Sequence, residues 1–370
     1  MNPNKIIFLT TAIDEKSFDF YKDAFESLPN PANQNFGLRF INSLLTLNKP
    51  VEVISLYSLK HKNKKISDTS IQNCSFSYVK RCNNFLSTSK VLINLISKNN
   101  KKEEVVVIYD SLNLALSRAA DKLSKKGYKT VSILTDNPKN ISFVSSTYIR
   151  LTYKYNKNAS AYYALTNKLN SLFNKKERPF IICEAIADTI KKSANPHQKP
   201  YIYFAGALFE RYGLLDLINA FLSVKPDYDL IIAGHGPLDS YIKELSLKLQ
   251  NIIFLGQISR EKNLQYEQHA FLNINPRLFN PALDEYSVPS KVIEYLSSPG
   301  YVASTLSTPV FKIFKGSLNL IENCESFFKE HLDDSKQFKN LVPNKAIEEV
   351  KERYSFDAVG RKINSIIIKL

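Results

Sequence analysis

Residues 284–298 read DEYSVPSKVIEYLSS and bring together types that suit the binding of an anion. The second half has the pattern of an amphipathic helix, with Val292, Ile293, Tyr295 and Leu296 as its apolar positions. A helix start carrying Ser287, Pro289, Ser290 and Lys291 offers backbone N–H groups that the helix cannot satisfy, together with a cation, which fits a phosphate. Glu294 stands four residues after Ser290 and shares its helix face. Taken by itself, an acid at that position is a solvated helix-face residue. Other constellations that could do chemistry are missing. Cys74, Cys82, Cys183 and Cys324 show no C-x2-C or C-x4-C spacing, and His61, His197, His235, His269 and His331 form no H-x3-H or H-E-x-x-H pattern, so reduced thiols and no bound metal are expected. Nothing resembles a Ser-His-Asp arrangement.

Elements of one kind position these residues. The first half alternates strand-like runs with helical ones: KIIFLTTA before NFGLRFINSLLTLN, then VEVISLY, then EEVVVIYD before SLNLALSRAADKLSKKG, then KTVSILTDNP, AYYALT and PFIICEA. The second half starts the scheme again from YIYFAGALFERYG, through YDLIIAGHGP and NIIFLGQI, to FLNINPR. Strands with continuous hydrophobicity belong to parallel sheets covered on both faces. Around DTIKKSANPHQKP, residues 188–200, the pattern lapses, which predicts domains at 1–195 and 196–370, with a C-terminal helix able to pack back on the first. Ligands of open α/β sheets gather at the carboxyl ends of the strands, so loops ending in Gly or Pro face the expected site.

Charge is unevenly placed. Residues 1–195 hold 30 Lys and Arg against 15 Asp and Glu, whereas residues 196–370 hold 20 against 20. The clusters LKHKNKK, SKNNKK and YKYNKN suit an anionic membrane surface or simply solvate the protein. Nucleic acid is not an expected partner, since no helix-turn-helix, RRM or zinc pattern is present. No apolar run approaches the length of a membrane span. The opening KIIFLTTA is followed at once by Asp14 and Glu15, as a first buried strand is, and the expected location is the cytoplasm, peripheral at the inner face of the cell membrane.

From Tyr203 the chain reads YFAGALFERYGLLDLINAF, LIIAGHGPLDSYI, NIIFLGQIS, INPR and SVPSKVIEYL, in that order. This text resembles the glycosyltransferases of family 4, in the branch that makes bacterial surface polysaccharides, where Y-S-F-P-S-K-x-x-E-Y-L is a familiar form. The first half resembles the same branch through NFGLRFINSLLTLNKPVEVISL, ILTDNP and YYALTNKLNSLFNKKERPFIICEAIAD. The resemblance implies a GT-B fold, α/β, with two Rossmann-like doubly wound domains facing across a cleft. It implies transfer of a sugar, with retention, from a nucleotide diphosphate sugar to a glycan or lipid-linked glycan acceptor, with UDP-sugars the favoured donors and no metal or tightly bound cofactor. Glu294 would then hold the ribose, Ser287, Ser290 and Lys291 the diphosphate, and the backbone at Gln257 and Ile258 the base. Gly206, Ala207, Gly234, Arg277 and Tyr286 complete the expected donor set.

The departures are specific. The family's acidic pair is E-x7-E, but Tyr286 holds its first position and Glu285 stands one residue early. Ala207 and Tyr212 occupy places where the family often carries Arg and Lys, which leaves Arg211, Lys291 or Arg277 to offset the leaving diphosphate. SPGYV at 298–302 replaces the usual S-G-T-P-V. The expected catalytic group is therefore Asp136, Glu285, Arg211 and Lys291. Asp136 either contacts a substrate hydroxyl or holds an Asx turn with Asn137 and Pro138. Asn35, Phe36 and Asp110 are the expected acceptor contacts. The rival reading is a GT-B protein without turnover that binds or stabilises a partner glycosyltransferase. On the sequence alone, Glu294→Ala should cost nucleotide affinity and barely change folding.

Overall fold

The computed structural model describes residues 3–26, 30–60, 65–71, 73–188, 192–278, 280–305 and 308–370. His61, Lys62 and Lys64 of the first basic cluster lie outside the described residues. The chain forms two compact units, Met1–Ile186 with Tyr354–Leu370, and Ala187–Arg353. The division falls after Ile186 rather than after residue 195, and the last helix is counted with the first unit.

In the first unit β1 (Lys5–Thr10), β2 (Val51–Tyr57), β3 (Thr69–Ile71), β4 (Cys74–Lys80), β5 (Val105–Asp110), β6 (Lys129–Leu134), β7 (Ala161–Ala164) and β8 (Phe180–Ile182) make one sheet. Its order is β3-β4-β2-β1-β5-β6-β7-β8, parallel apart from β3 against β4. The unbroken apolar runs of β1 and β5 are buried on both faces, as a doubly covered sheet requires. On one face Ile7, Leu9, Val107 and Tyr109 pack against the helices Phe85–Asn99 and Leu114–Lys125. On the other Phe8, Phe40 and Tyr163 form a ring cluster, with Phe40 centred 5.1 Å from Phe8 and 5.3 Å from Tyr163. Phe40 belongs to the helix Pro31–Leu45, which Asn30 caps through the Ala32 and Asn33 amides. The C-terminal helix Phe356–Ile367 packs on that helix and on β8.

The second unit holds β9 (Tyr201–Ala207), β10 (Asp229–His235), β11 (Ile252–Gly256), β12 (Leu272–Asn275), β13 (Tyr301–Thr305) and β14 (Asn319–Ile321) in the parallel order β11-β10-β9-β12-β13-β14. Strand order reverses between β9 and β12, and in the first sheet between β1 and β5, so each unit has its own switch point, where open α/β sheets bind ligands. β4, β13 and β14 are strands that the sequence pattern does not announce. β4 alternates, with Cys74 and Phe76 buried around exposed Ser75, because it lies near the sheet edge. Among the described residues no helix is long and apolar enough to cross a membrane.

Candidate functional site

In the second unit β9 and β10 keep register to their ends, Gly206 opposite Gly234 and Ala207 opposite His235. A Cβ on Gly234 would lie 1.8 Å from the Gly206 carbonyl oxygen, and its φ of 140° is one that side chains rarely adopt. Gly234 is therefore glycine for the protein's own packing. Gly206 is different, since a Cβ there would meet only the Phe204 ring at 3.5 Å. That is ordinary contact, so the protein's own packing does not require glycine at Gly206. His235 is tied down within its loop by Asp239, 2.5 Å from Nδ1, and the same carboxylate accepts from the Gly236 N–H at 2.8 Å.

Beyond Ala207 the chain makes a tight turn over Glu210–Tyr212 and enters the helix Leu214–Val224 at Gly213, whose φ of 75° sets it against the Pro276 carbonyl. This brings the loop after β9 against the loop after β12. Two guanidiniums approach the Tyr212 ring, Arg211 at 5.2 Å and Arg277 at 5.9 Å, and Arg211 also covers Phe209 at 4.7 Å. Arg277 is spoken for by Asp284, 2.9 Å away and buried, whose second oxygen accepts from the Asn280 N–H at 2.7 Å. Arg211 is exposed and forms no ion pair among the described residues. Glu285 is exposed and Tyr286 half-buried at the end of the short helix Pro281–Asp284.

Glu294 is not the solvated acid that its position taken by itself would suggest. In the helix Ser290–Leu296 the residues Val292 to Leu296 are all buried, and Glu294 is only 4% exposed. A charge so placed needs a partner. Lys291 Nζ supplies it, 3.1 Å from Glu294 Oε2, and stands 3.6 Å from Oε1 of Glu267, which is fully buried. Glu267 in turn accepts from Asn263 Nδ2 at 2.6 Å, and Asn263 Oδ1 accepts from the Tyr203 hydroxyl at 2.9 Å. Lys291 is thus held between two carboxylates, with 34% of its side chain still exposed. Ser287 and Ser290 flank a helix start without a side-chain cap. After β11, Gly256 turns at a φ of 63°, the Ile258 side chain packs against the cluster around Tyr203 and Ala233, and the backbone groups of Gln257 and Ile258 make no hydrogen bond among the described residues.

In the first unit Asp110 and Phe36 line a small hollow of about 20 Å³ at the β1–β5 switch point, with Thr10, Asn33 and Thr135. That is room for about one water. Asn35 does not join them, because the helix face carrying Asn33, Phe36 and Gly37 turns it outward to solvent. Burial pushes the Asp110 carboxyl above the usual carboxylate range, against the pull of the Leu112 N–H on Oδ1 at 3.0 Å. Asp136 is half-buried, and the turn that follows it is capped by Asn137, whose Oδ1 accepts from the Lys139 N–H. Among the described residues no cluster of three or more His, Cys, Asp or Glu is placed to hold a metal ion.

Comparison with known proteins places this geometry. Residues 186–285 match the family model of glycosyl transferases group 1. Among curated proteins no sequence matches significantly. The sucrose-phosphate synthase of Thermosynechococcus elongatus superposes with a TM-score of 0.71 at 12% identity over 99% of this chain and 98% of that one. Anabaena HepE, solved with UDP and glucose, gives 0.66 at 14% identity over 99% and 100%. The lipopolysaccharide outer core galactosyltransferase WaaB gives 0.60 at 13% identity over 99% of each chain. The fold is GT-B. In this GT-B chain the family match ends at residue 285 and leaves out the helix with Glu294. Sequence reasoning also passed over Asn263 and Glu267. Their i,i+4 spacing in REKNLQYEQH marked a shared helix face, but nothing local said that the face is buried.

Proposed function

We propose that this GT-B chain is a family 4 glycosyltransferase that moves a sugar from a nucleotide diphosphate donor, UDP-linked by preference, to a glycan or lipid-linked glycan acceptor in cell-surface polysaccharide synthesis. One observation carries the proposal. Gly206, exposed Arg211 and the helix with Glu294 stand at the carboxyl end of β9 and on the loops after β9 and β12, the two strands that flank the switch point of the second sheet. The UDP and glucose bound to HepE, and the galactosyl transfer named for WaaB, support the donor class. Diphosphate oxygens would approach the Gly206 backbone with Arg211 beside them, and Glu294 would accept from ribose hydroxyls. With configuration retained, a leaving phosphate oxygen takes the acceptor proton and no separate base is needed. One observation favours the reading without turnover, namely that Arg277 and Lys291 already have acidic partners. Titration calorimetry with UDP, GDP and dTDP tests the proposal. UDP should bind, and Gly206→Ala should keep the fold and lose roughly tenfold or more in affinity as its methyl displaces a charge-assisted contact. Gly234→Ala should instead fail to fold normally. A chain that binds none of the three nucleotides sinks the donor reading, and binding without transfer to any acceptor leaves the partner reading.

We further propose that the first unit rests on the anionic inner face of the cell membrane. The excess of cations in residues 1–195 supports this, as do Phe20, 80% exposed, and the fully exposed Phe143. Lys101 and Lys102 contribute less, since Glu104 and Glu103 lie 3.5 and 3.8 Å from them. Sedimentation with anionic vesicles should carry the protein down at low salt and release it near half-molar salt. Equal binding to neutral vesicles would reject the charge argument.

A further inference from the structure

The first unit has a larger hollow than the one at Asp110. An open cavity of about 380 Å³ lies at the carboxyl ends of β2, β4 and β5, lined by Arg81, Cys82, Asn83, Asn84, Asn113 and Tyr148 among others. Two of its amides are set as donors. The Asn84 Oδ1 accepts from the Ser87 N–H at 2.9 Å, and the Asn113 Oδ1 accepts from Ala115 and Leu116 at 3.0 and 3.3 Å. Helix capping thereby fixes both amides with oxygen towards the backbone, and each NH2 group is what remains for a ligand. Neither NH2 group, nor the Asn83 side chain, nor the Arg81 guanidinium makes a hydrogen bond or ion pair among the described residues. Partial withdrawal from water pulls the Arg81 guanidinium down, with the Glu26 carboxylate pushing it back up from beyond bonding distance. The opposite character lies at Tyr148. Its hydroxyl donates to the Leu112 carbonyl at 2.7 Å, and burial, with Asp110 and Asp136 adding to it, holds that hydroxyl above the usual tyrosine range.

A cavity with free amide donors and a guanidinium that no acid bonds suits an anion with several acceptor oxygens. We infer that this cavity holds the phosphate of a phosphorylated glycan acceptor, seated at Arg81, Asn83, Asn84 and Asn113. That the ligand is an acceptor rests on the glycosyltransferase reading, while the anion site does not. Leu86 and Val91, both 44% exposed on the helix that starts beside Asn84, offer an apolar neighbour should the phosphate belong to a lipid-linked sugar.

Cys82 reports on the cavity directly, because it lines it and is exposed while Cys74, Cys183 and Cys324 are buried. In the full chain, alkylation of Cys82 by the neutral reagent N-ethylmaleimide should slow as the site fills, about tenfold at ten times the dissociation constant. Glucose 1-phosphate should protect and glucose should not. Farnesyl phosphate protecting at lower concentration than glucose 1-phosphate, with farnesol inert, identifies the lipid-linked source, and the reverse order identifies a free sugar phosphate. Arg81→Gln should abolish protection while UDP binding stays unchanged. Protection by glucose equal to that by its phosphate, or protection that survives Arg81→Gln, overturns the inference. No Cys82 protection beside an intact UDP isotherm sinks this site alone, whereas protection without UDP binding sinks the donor reading alone.

Discussion

A Glu294→Gln protein is expected to bind UDP about ten- to a hundredfold more weakly than the wild type and to fold as well. Glutamine keeps the volume of the buried side chain but replaces charge-assisted bonds to ribose hydroxyls, each of about 1.5–3 kcal/mol, with neutral ones. Lys291 would still stand beside Glu267, so no cation is stranded by the change. Glu294→Ala is a poorer probe than the sequence suggests. At 4% exposure its removal opens a void and takes away one partner of Lys291, and a stability loss on the order of 1–3 kcal/mol is expected along with the lost affinity. Calorimetry and urea unfolding on both proteins separate the two roles. An unchanged UDP dissociation constant for Glu294→Gln would remove Glu294 from the donor site.

Asp284→Ala should destabilise the fold more than Glu294→Ala does, although neither change strains the backbone. Its carboxylate joins Arg277 to the Asn280 N–H and so fastens both ends of the 277–284 segment. Breaking a buried ion pair by removing one partner costs about 3–5 kcal/mol, and because Arg277 keeps 21% of its side-chain exposure the lower end is expected. The same change should weaken UDP binding, since it frees the segment that leads to Tyr286 and Ser287, although Asp284 itself is assigned no contact with the donor. A shift in unfolding free energy below about 0.5 kcal/mol would mean that the pair behaves as a surface one.

Much of this architecture is legible in the sequence, and the parts that are not have physical reasons. Runs such as VVVIY and YIYFA announce doubly covered parallel strands because their burial needs no knowledge of neighbours. Gly206 and Gly234 look alike in sequence and differ in role, since only the pairing of β9 with β10 puts a carbonyl against one of them. Glu294 is legible as an unusual acid, but its burial is not. A helix apolar on nearly every side has no solvent face, the counter-charge is Lys291 on the same helix, and the second acid that shares Lys291, Glu267, comes from a helix earlier in the chain. The cavity at Arg81 is not legible, because the helix Phe85–Asn99 that orients Asn84 is left unassigned by the periodicity and nothing local brings it beside the helix that Asn113 starts.

The helix Phe356–Ile367 has a consequence for how the protein is made. Its apolar side, with Val359, Ile363, Ile366 and Ile367 buried, belongs to a unit whose other elements end at Ile186. During synthesis the first unit lacks this helix while Ala187–Arg353 leaves the ribosome, an interval on the order of 10–30 s at ordinary elongation rates. The second unit is continuous in sequence and can close before the first. The first unit can be completed only after the second has been made, so its assembly need not follow the order of translation.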